Sequence, residues 1–459
     1  YNVAIGSAAG TAVTTGVKNT LIGGLAGDNL TDADYNTVVG MQALNNDTLG
    51  STSTAIGAFT LNNQNFTSAT NTYNTAVGYS AGLSVTTGTN NTLIGGLAGD
   101  AITTGSNNAS VGKGSMSATT TGGANAALGV DALLSNTTGD ANTAVGYGAL
   151  DANTTANNNT AVGNSALTAN TTGAQNTGIG SNALASNTTG GENTAVGVNA
   201  LDANTTGAQN TAVGKNALDA NTTGDHNTAV GREALKANTT GGRNTAVGRT
   251  SLTSCTTGTN NVAIGYQALN ASTSAADNTA VGRDAGSGVV GGYENTFIGK
   301  SCCTSVTSGF QNTVVGAGCN MAGGTDKAMA LGYGLAPTGG YTTVGHGNDD
   351  IRTAHGSASW APVSDQRFKK DITDATAGLS FINALRPRTY NYRTLSELPE
   401  TFNAYKEGST EVFKNTKTNH GFIAQEVKEA IDADEGIKNG FEMWGQREDG
   451  AQEVSESAL

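Results

Sequence analysis

Hydrophobic and polar residues follow a fixed order that returns at every seventeenth position, from Asn2 to about residue 316. Each repeat opens with a variant of Asn-Thr-Ala-Val-Gly, and 19 copies follow one another with a single four-residue insertion, between Ser53 and Asn74. Positions within a repeat are numbered here from 1, the opening Asn, to 17. A fixed period of this size is typical of a solenoid, in which each repeat packs only on its neighbours.

The repeat contains signals for short strands and turns but none for a helix. Position 5 is Gly in all 19 copies and position 4 is always Val, Ile or Leu, which together indicate a short strand ending in a turn. Position 8 is always small, and Leu commonly follows it, as in Ala166 and Leu167. The Asn-Thr-Thr-Gly stretch, typically residues 170–173, predicts a second turn. We therefore expect an all-β parallel β-roll whose rungs each contain two short strands and two turns around a narrow core.

Position 3 predicts contact with a further chain. It is mostly small or apolar, as is position 4 beside it, and consecutive strand residues point to opposite faces. Ala144 and Val145 therefore cannot both face the interior of one roll, and something must cover the second face. An identical chain is the simplest cover, so the pattern favours an oligomer of parallel, in-register rolls. At about 4.8 Å per rung, 19 rungs extend roughly 90 Å.

Charge divides the chain into parts of different character. The formal net charge is −13, which gives no support for nucleic-acid binding. Residues 364–459 hold 17 acidic and 12 basic residues, against 19 and 11 in the first 363. We predict a sparsely charged shaft at 1–319, a neck of tapering repeats at 320–363 and a densely charged domain at 364–459. No stretch of 18 apolar residues is present, so no membrane insertion is expected.

The four cysteines indicate packing more than chemistry. Cys302 and Cys319 share position 8 one rung apart, a spacing compatible with a disulfide. The favoured interpretation is that small residues fill a ladder, because four cysteines in 459 residues are not a disulfide framework. No C-x-x-C motif is present and no His lies near the cysteines, so neither a metal site nor a cofactor is predicted.

Position 6 carries candidate ligand-binding residues. In six consecutive repeats it holds basic or aromatic side chains that should form a stripe along one edge of the shaft. These residues are Lys215, Arg232, Arg249, Tyr266, Arg283 and Lys300. Like charges stacked about 4.8 Å apart repel each other. Either neighbours such as Glu233 and Asp284 neutralise the stripe, which is the favoured interpretation, or it binds an anionic ligand such as lipopolysaccharide phosphate or acidic glycan.

The tail contains two ordered motifs. The first is Ser-Asp-Gln-Arg-Phe-Lys-Lys-Asp-Ile at residues 364–372, and the second is His-Gly-Phe-Ile-Ala-Gln-Glu-Val at residues 420–427. Between them, a helix is predicted at 377–385 and a strand at 388–393. Over about 96 residues this pattern resembles the C-terminal intramolecular chaperone domain of phage endosialidases and tail fibres, a self-cleaving peptidase family. Members usually continue into a long C-terminal helix, so we expect the sequence to be truncated at its C-terminus.

The resemblance implies a trimeric domain that guides folding of a β-rich shaft and then cuts itself off before the motif serine. Carried onto this chain, Ser364 is the nucleophile, Lys369 the base and Val363-Ser364 the scissile bond, with Asp365 and Arg367 in support. A serine hydroxyl needs a nearby base, and lysine serves as one when burial or a neighbouring cation lowers its pKa. Single-turnover self-cleavage by this Ser-Lys dyad is the only enzymatic activity implied.

The repeats are also similar to the heads of bacterial trimeric autotransporter adhesins, in which an Asn-Ser-x-Ala-Ile-Gly-like phrase builds a left-handed parallel β-roll in a trimer. Together, the two resemblances imply a structural and adhesive protein: a homotrimeric phage tail fibre or spike. Expected partners are its own copies, a host-surface glycan or lipopolysaccharide, and other virion tail proteins through a region preceding Tyr1. The expected location is the virion tail, extracellular after assembly in the host cytoplasm.

Three alternatives stay open. A polysaccharide-degrading tail spike is compatible with the same tail domain, although the acidic residues of the repeats are scattered and no pair recurs as glycoside hydrolysis requires. An ice-binding protein is prompted by paired threonines such as Thr171 and Thr172, although that stretch is predicted to be a turn. A bacterial surface adhesin is the third alternative.

Overall fold

The computed structural model describes residues 1–347, 349–355, 361–362, 379–402, 404–413, 416–434, 444–446 and 452–454. The chain forms two compact units, Tyr1–Asp350 and Ile351–Leu459.

The first unit is a parallel β-solenoid, as the repeat predicts. Every repeat contributes one short strand at positions 2–4, and each strand pairs in parallel with the strand of the next repeat, so that Thr143 pairs with Thr160 and Val145 with Val162. The four extra residues after Ser53 lengthen one step without changing the register. The strands are Val3–Ile5, Thr20–Ile22, Thr37–Val39, Thr54–Ile56, Thr75–Val77, Thr92–Ile94, Ala109–Val111, Ala126–Leu128, Thr143–Val145, Thr160–Val162, Thr177–Ile179, Thr194–Val196, Thr211–Val213, Thr228–Val230, Thr245–Val247, Val262–Ile264, Thr279–Val281, Thr296–Ile298 and Thr313–Val315.

The expectation of two strands per rung is wrong. Among the described residues, a second strand pair occurs once, where Gly50–Ser51 pairs in parallel with Thr70–Asn71 beside the insertion. Elsewhere the return path of each rung is held by backbone hydrogen bonds to the neighbouring rung that do not form a strand ladder. One example is the bond from Thr171 N–H to the Thr188 carbonyl at 3.0 Å. The return path stays in turn geometry because positions 7, 9 and 17 adopt positive φ, and such residues cannot continue a strand.

The core is narrow and built from small residues. Positions 3, 8 and 9 are buried in almost every repeat, as Ala161, Ala166 and Leu167 show, each 0% exposed. Position 4 points the other way: Val162 is only partly buried and Ile179 is 39% exposed. Alternation along the strand therefore puts the small residue inside and the aliphatic residue outside.

A buried asparagine at position 1 joins most rungs to the next; position 1 is Ser53 in the fourth repeat, and Asn2 is exposed. Asn159 donates from Nδ2 to the carbonyl of Gly173 at 3.0 Å, which closes its own rung. Its Oδ1 accepts the backbone N–H of Asn176 at 2.9 Å, which ties it to the following rung. Both functions of the amide are used, so the buried side chain of Asn159 is satisfied.

The insertion creates a buried polar cluster. Asp47 is 0% exposed, and its carboxylate accepts bonds from Gln64 Nε2 at 2.6 Å and from the backbone N–H groups of Phe66 at 3.0 Å and Gly50 at 3.1 Å. Three donors offset the cost of removing the carboxylate from water.

The rungs shorten toward the end of the first unit. Thr313 of the last regular repeat pairs with Met329, and Met329 pairs with Thr342, so both steps are shorter than the regular repeat and the second is the shorter of the two. The strands involved, Met329–Tyr333 and Tyr341–His346, continue the parallel pairing. The segment from 329 to 346 therefore consists of tapering rungs.

The second unit is a small α+β region. Its strands are Asp349–Ala354, Ala361–Pro362, Arg388–Tyr390, Asn419–Gly421, Trp444–Gln446 and Gln452–Val454, the first of which begins in the solenoid unit. Helix α1 spans Leu379–Ala384, helix α2 spans Ala424–Ala433, and a short 3₁₀ turn spans Leu395–Glu397. The strands pair antiparallel in the order given, two by two. Among the described residues no helix is long and apolar enough to cross a membrane.

Candidate functional site

The predicted self-cleavage residues lie outside the described residues. These are Ser364, Asp365, Arg367 and Lys369, together with the Val363-Ser364 bond. Their roles stay predictions, and the described part of the tail shows only the surroundings of the second motif.

The second tail motif is held against the strand that precedes it in the chain. Strand Asn419–Gly421 pairs antiparallel with Arg388–Tyr390, so that Arg388 lies opposite Gly421 and Thr389 opposite His420. Thr389 Oγ1 and His420 Nδ1 are 3.1 Å apart. The two segments singled out at 388–393 and 420–427 therefore meet in space.

A forked ion pair fastens helix α2 to the same strand. Arg388 Nε lies 2.8 Å from Glu426 Oε2 and 3.1 Å from Oε1. The guanidinium hydrogen bond holds the pKa of the Glu426 carboxyl below its usual range. Arginine suits this position because its planar group matches a carboxylate with two parallel donors.

Behind these polar contacts lies a small apolar core. Phe381 from α1 packs with Val427, Ala430 and Ile431 from α2, and Trp444 is among the partly buried residues at its edge. The Lys428 ammonium lies 5.1 Å from the centre of the Trp444 ring and also pairs with Asp432. The motif segment 420–427 thus belongs to a packed helix-strand unit.

The basic residues predicted at position 6 form an exposed column on the solenoid. All six side chains, from Lys215 to Lys300, are exposed. Two are paired within their own rung: Arg232 NH2 lies 3.0 Å from Glu233 Oε1, and Arg283 Nε lies 3.0 Å from Asp284 Oδ2. The Arg249 guanidinium lies 5.8 Å from the centre of the Tyr266 ring. Neutralisation by neighbours is therefore present at two of the six residues.

The aliphatic residues of position 4 form a second outward column. The two possible orientations of the strand are distinguished here, because position 3 is buried and position 4 is not. Nine members of this column are more than a third exposed: Ile5, Ile56, Ile94, Leu128, Ile179, Val213, Ile264, Ile298 and Leu331. Position 2, usually Thr, flanks the column on the same face of the sheet.

The four cysteines are free thiols in the core. Cys302 Sγ lies 3.6 Å from Cys303 Sγ, and Cys319 is buried in the next rung. The Cys302 thiol and burial raise the pKa of Cys303, and burial raises the pKa of Cys255 to about 11. Thiols of this kind are unreactive at neutral pH. Among the described residues no group of three or more His, Cys, Asp and Glu side chains is arranged to hold a metal ion.

The threonine pairs that prompted the ice-binding alternative are unequal. At position 13 the hydroxyl is used internally, since Thr171 Oγ1 donates to the Thr188 carbonyl at 3.0 Å. At position 14 the side chain, for example Thr172, is exposed.

Two features of the solenoid were missed in the sequence. Position 12 is a buried asparagine in seven consecutive repeats, from Asn136 to Asn238, and its unbroken recurrence at one position of the repeat was the signal that could have revealed it. Position 10 carries aspartates whose pKa is raised by burial, including Asp100, Asp151 and Asp202. The rise in pKa depends on how densely neighbouring atoms pack around each aspartate, and no single sequence motif specifies that packing.

Comparison with known proteins finds a family match for one segment of the chain, in the tail. No curated protein matches this chain. Residues 364–436 match the family described as Chaperone of endosialidase, and the match begins at Ser364. The tail segment is therefore similar to that family, as its two motifs predict.

Proposed function

We propose that this chain is the shaft and folding domain of a homotrimeric phage tail fibre or spike that contacts the host surface. A segment similar to the Chaperone of endosialidase family directly follows a long parallel β-solenoid, and this order is the observation that carries the proposal. The protein would act in the virion tail, outside the cell, after assembly in the host cytoplasm. Its partners would be its own copies, a host glycan or lipopolysaccharide, and other tail proteins.

The outward aliphatic column supports self-association. A line of Val, Ile and Leu side chains extends along the whole solenoid, with Ile264 40% and Leu128 53% exposed. Apolar surface that is contiguous over many rungs is typical of an interaction site, and burying it stabilises a complex by about 25 cal/mol per Å². Identical rungs at identical heights make an identical chain the best-matched cover.

Such an assembly needs a mechanism that aligns the repeats of neighbouring chains in the correct register. Nineteen nearly equivalent rungs allow neighbouring chains to pair with shifts of one whole repeat, and each shift loses only the contacts at the ends. A trimeric nucleus at one end would select the unshifted arrangement. This requirement is a physical reason for a chaperone domain to follow the solenoid.

Self-cleavage would then make the assembled shaft difficult to unfold and re-form. In this proposal Ser364 Oγ attacks the carbonyl carbon of Val363 and Lys369 accepts the hydroxyl proton. The Val363-Ser364 C–N bond then breaks, the proton passes to the amino group of Ser364, and water hydrolyses the ester to leave a carboxylate on Val363, with Asp365 and Arg367 in support. Once the nucleus is removed, an unfolded shaft could not easily regain its register. The stability of the shaft would then be kinetic, set by its rate of unfolding.

The test compares the purified protein with Ser364→Ala by intact mass, N-terminal sequencing and denaturing gels run with and without boiling. We expect the wild type to yield a fragment that begins at Ser364 and a shaft that migrates as a trimer until it is boiled. The variant should remain uncut. An uncut wild type that still migrates as a trimer would refute the roles of Ser364 and Lys369, and a monomeric shaft would refute the fibre.

A further inference from the structure

The basic column at position 6 is confined to one part of the solenoid. Of the 11 basic residues in the first 363, two, Lys18 and Lys113, precede residue 215 and eight lie between 215 and 327. Five of these eight occupy position 6 within a run of six consecutive rungs, and all five are exposed. In a protein with a net charge of −13, this is a local reversal of sign.

The neighbouring carboxylates compensate the column only in part. Glu233 pairs with Arg232, and the nearby cations Lys236 and Arg249 also help to lower its pKa, so one carboxylate serves three cations. Asp284 pairs with Arg283. Within the described residues, Lys215, Arg249 and Lys300 have no ion pair. In the two pairs that exist the arginine side chains are more than half exposed and the carboxylates are partly buried. Ion pairs at the surface are weak enough to be exchanged for a better anion.

A second copy of the chain does not supply the missing charge. In a parallel, in-register assembly, which is part of the proposed function, each rung faces the same rung of its neighbour. The rung at 244–260 contains Arg249 and no Asp or Glu, and the rung at 295–311 contains Lys300 and no Asp or Glu. Arg249 and Lys300 therefore have no carboxylate in their own rung on either chain, and an outside anionic ligand can supply one.

We propose that the column from Lys215 to Lys300 binds a linear acidic polysaccharide, which lies along the solenoid with its carboxylates on the Lys and Arg side chains. A linear polymer fits because the cations form a line with a short, regular repeat. The arginines favour carboxylates, which they can bind through two parallel donors. Tyr266, 40% exposed between Arg249 and Arg283, interrupts the charges with a flat apolar surface suited to a sugar ring. The proposal deepens the proposed host contact by naming its ligand class.

The experiment measures binding of the full chain to polygalacturonate, with neutral dextran as a second probe, by biolayer interferometry at low and high salt. The test variant is Arg232→Gln, Arg249→Gln and Arg283→Gln together. The matched control is Lys113→Gln, Lys236→Gln and Arg243→Gln, which removes the same charge and leaves all six residues of the column in place. The substituted side chains are not part of the core, and melting curves check the fold of both variants.

We expect the wild type to bind polygalacturonate and not dextran, with affinity that falls as salt screens exposed charges. The test variant should bind about tenfold more weakly or worse, while the control stays close to the wild type. Equal losses of affinity in both variants would show that binding depends only on net charge, and this would overturn the proposal. An unchanged test variant, or equally tight binding of long-chain polyphosphate by the wild type, would overturn it as well.

These outcomes are independent of the proposed function. Oligomeric state and cleavage at Ser364 are measured separately, on the same protein. A cleaved trimer that binds no acidic polysaccharide would refute the ligand and leave the fibre in place. A monomer that binds polygalacturonate through the column would refute the fibre and leave the binding site in place.

Discussion

At the scale of single residues, a ladder of asparagine amides extends through the core at position 12. Asn187 donates from Nδ2 to Asn170 Oδ1 at 2.8 Å and accepts from Asn204 Nδ2 at 2.8 Å. The ladder ends at Asn238, whose buried Oδ1 has no hydrogen-bond partner among the described residues, because the next rung has Cys255. One rung further, Ser272 Oγ is buried and is likewise unpaired within the described part of the chain. Cys255 thus separates two polar atoms that each lack a hydrogen bond.

A single substitution should join the two unpaired atoms. We predict that Cys255→Asn stabilises the solenoid by about 1–2 kcal/mol, because the new amide can donate to Asn238 Oδ1 and accept from Ser272 Oγ. It can also donate to the Gly258 carbonyl, as the other asparagines of the column do within their rungs. The measurement is the denaturant midpoint of the variant against the wild type.

The control separates the two new bonds. In a Ser272→Ala background the substitution should lose about half of its benefit, since one acceptor is left without its donor. A Cys255→Asn variant less stable than the wild type would show that the column does not accept an eighth amide.

The aspartates of position 10 make a residue-scale prediction about pH. Burial, and secondarily the negative charge of Asp219, raise the pKa of Asp202 above its ordinary value of 3.8. The native state therefore binds the proton more tightly than the unfolded state, so Asp202 lowers stability as pH rises through its native pKa. Asp202→Asn should raise the melting temperature at pH 7, on the order of 1 °C, and the gain should vanish below pH 3.8.

Asparagine is a suitable replacement because Asn45 and Asn270 occupy the same position in other rungs. Asp277→Asn, on the exposed position 17, is the matched control and should show no such gain at pH 7. A gain for Asp202→Asn that persisted into acid would contradict the electrostatic cause.

At the scale of the rung, the glycine of position 5 determines how closely the turns stack. Gly231 has φ of 132°, and a Cβ built there would lie 2.6 Å from the Gly248 carbonyl oxygen. Both the backbone conformation and the contact exclude a side chain. The invariance of this column was visible in the sequence, and stacking of the rungs is its physical cause.

Gly231→Ala should therefore disrupt the local stack and cost several kcal/mol, well beyond the usual effect of a glycine substitution. Gly148→Ala is the matched control, because Gly148 also has positive φ, at 58°, but a Cβ there meets nothing closer than 4.0 Å. We expect the control to lose about 1 kcal/mol from conformation alone. Thermal unfolding of the two variants measures the difference, and equal losses would show that stacking is not the cause.

The sequence predicts the length and pairing of each rung better than it predicts which side chains fill the core. The period of the repeat, the glycine turn and the parallel register follow from residues that recur every 17 positions, such as Thr143 and Thr160, which pair in the structure. The side of the strand that faces inward does not follow, because Ala144 and Val145 are both apolar. Leu167, buried with φ of 54°, could not be foreseen either, since leucine normally avoids that conformation and tolerates it here through tertiary packing.

The tail shows a similar division. Its two motifs predict the similarity to the Chaperone of endosialidase family, and the helix expected at 377–385 corresponds to Leu379–Ala384. The contact between Arg388 and Glu426 joins residues 38 apart and depends on the pairing of Arg388–Tyr390 with Asn419–Gly421. Such a contact follows from tertiary structure, which neither motif specifies alone. The roles of Ser364 and Lys369 remain predictions.

At the scale of the whole molecule, the outward column at position 4 is the feature that a single solenoid leaves unused. Each rung needs position 3 for its core, so position 4 could be polar at no cost to the fold. It is nevertheless Val, Ile or Leu in every one of the 19 copies. The contact surface between chains that we propose would explain this restriction, because a carboxylate buried in such an interface costs several kcal/mol.

Carboxylates placed on the outward column at position 4 should break a contact between chains there. Val213→Glu with Ile264→Glu puts two carboxylates at sites 37% and 40% exposed, where the fold of one chain can accept them. In a trimer each substitution is repeated three times, so we expect the variant to be monomeric by size-exclusion chromatography with light scattering. Thr240→Glu, on exposed position 14 of a nearby rung, is the matched control and should remain a trimer. A double variant that stays trimeric, with an unchanged melting temperature, would show that the interface lies on another face of the solenoid.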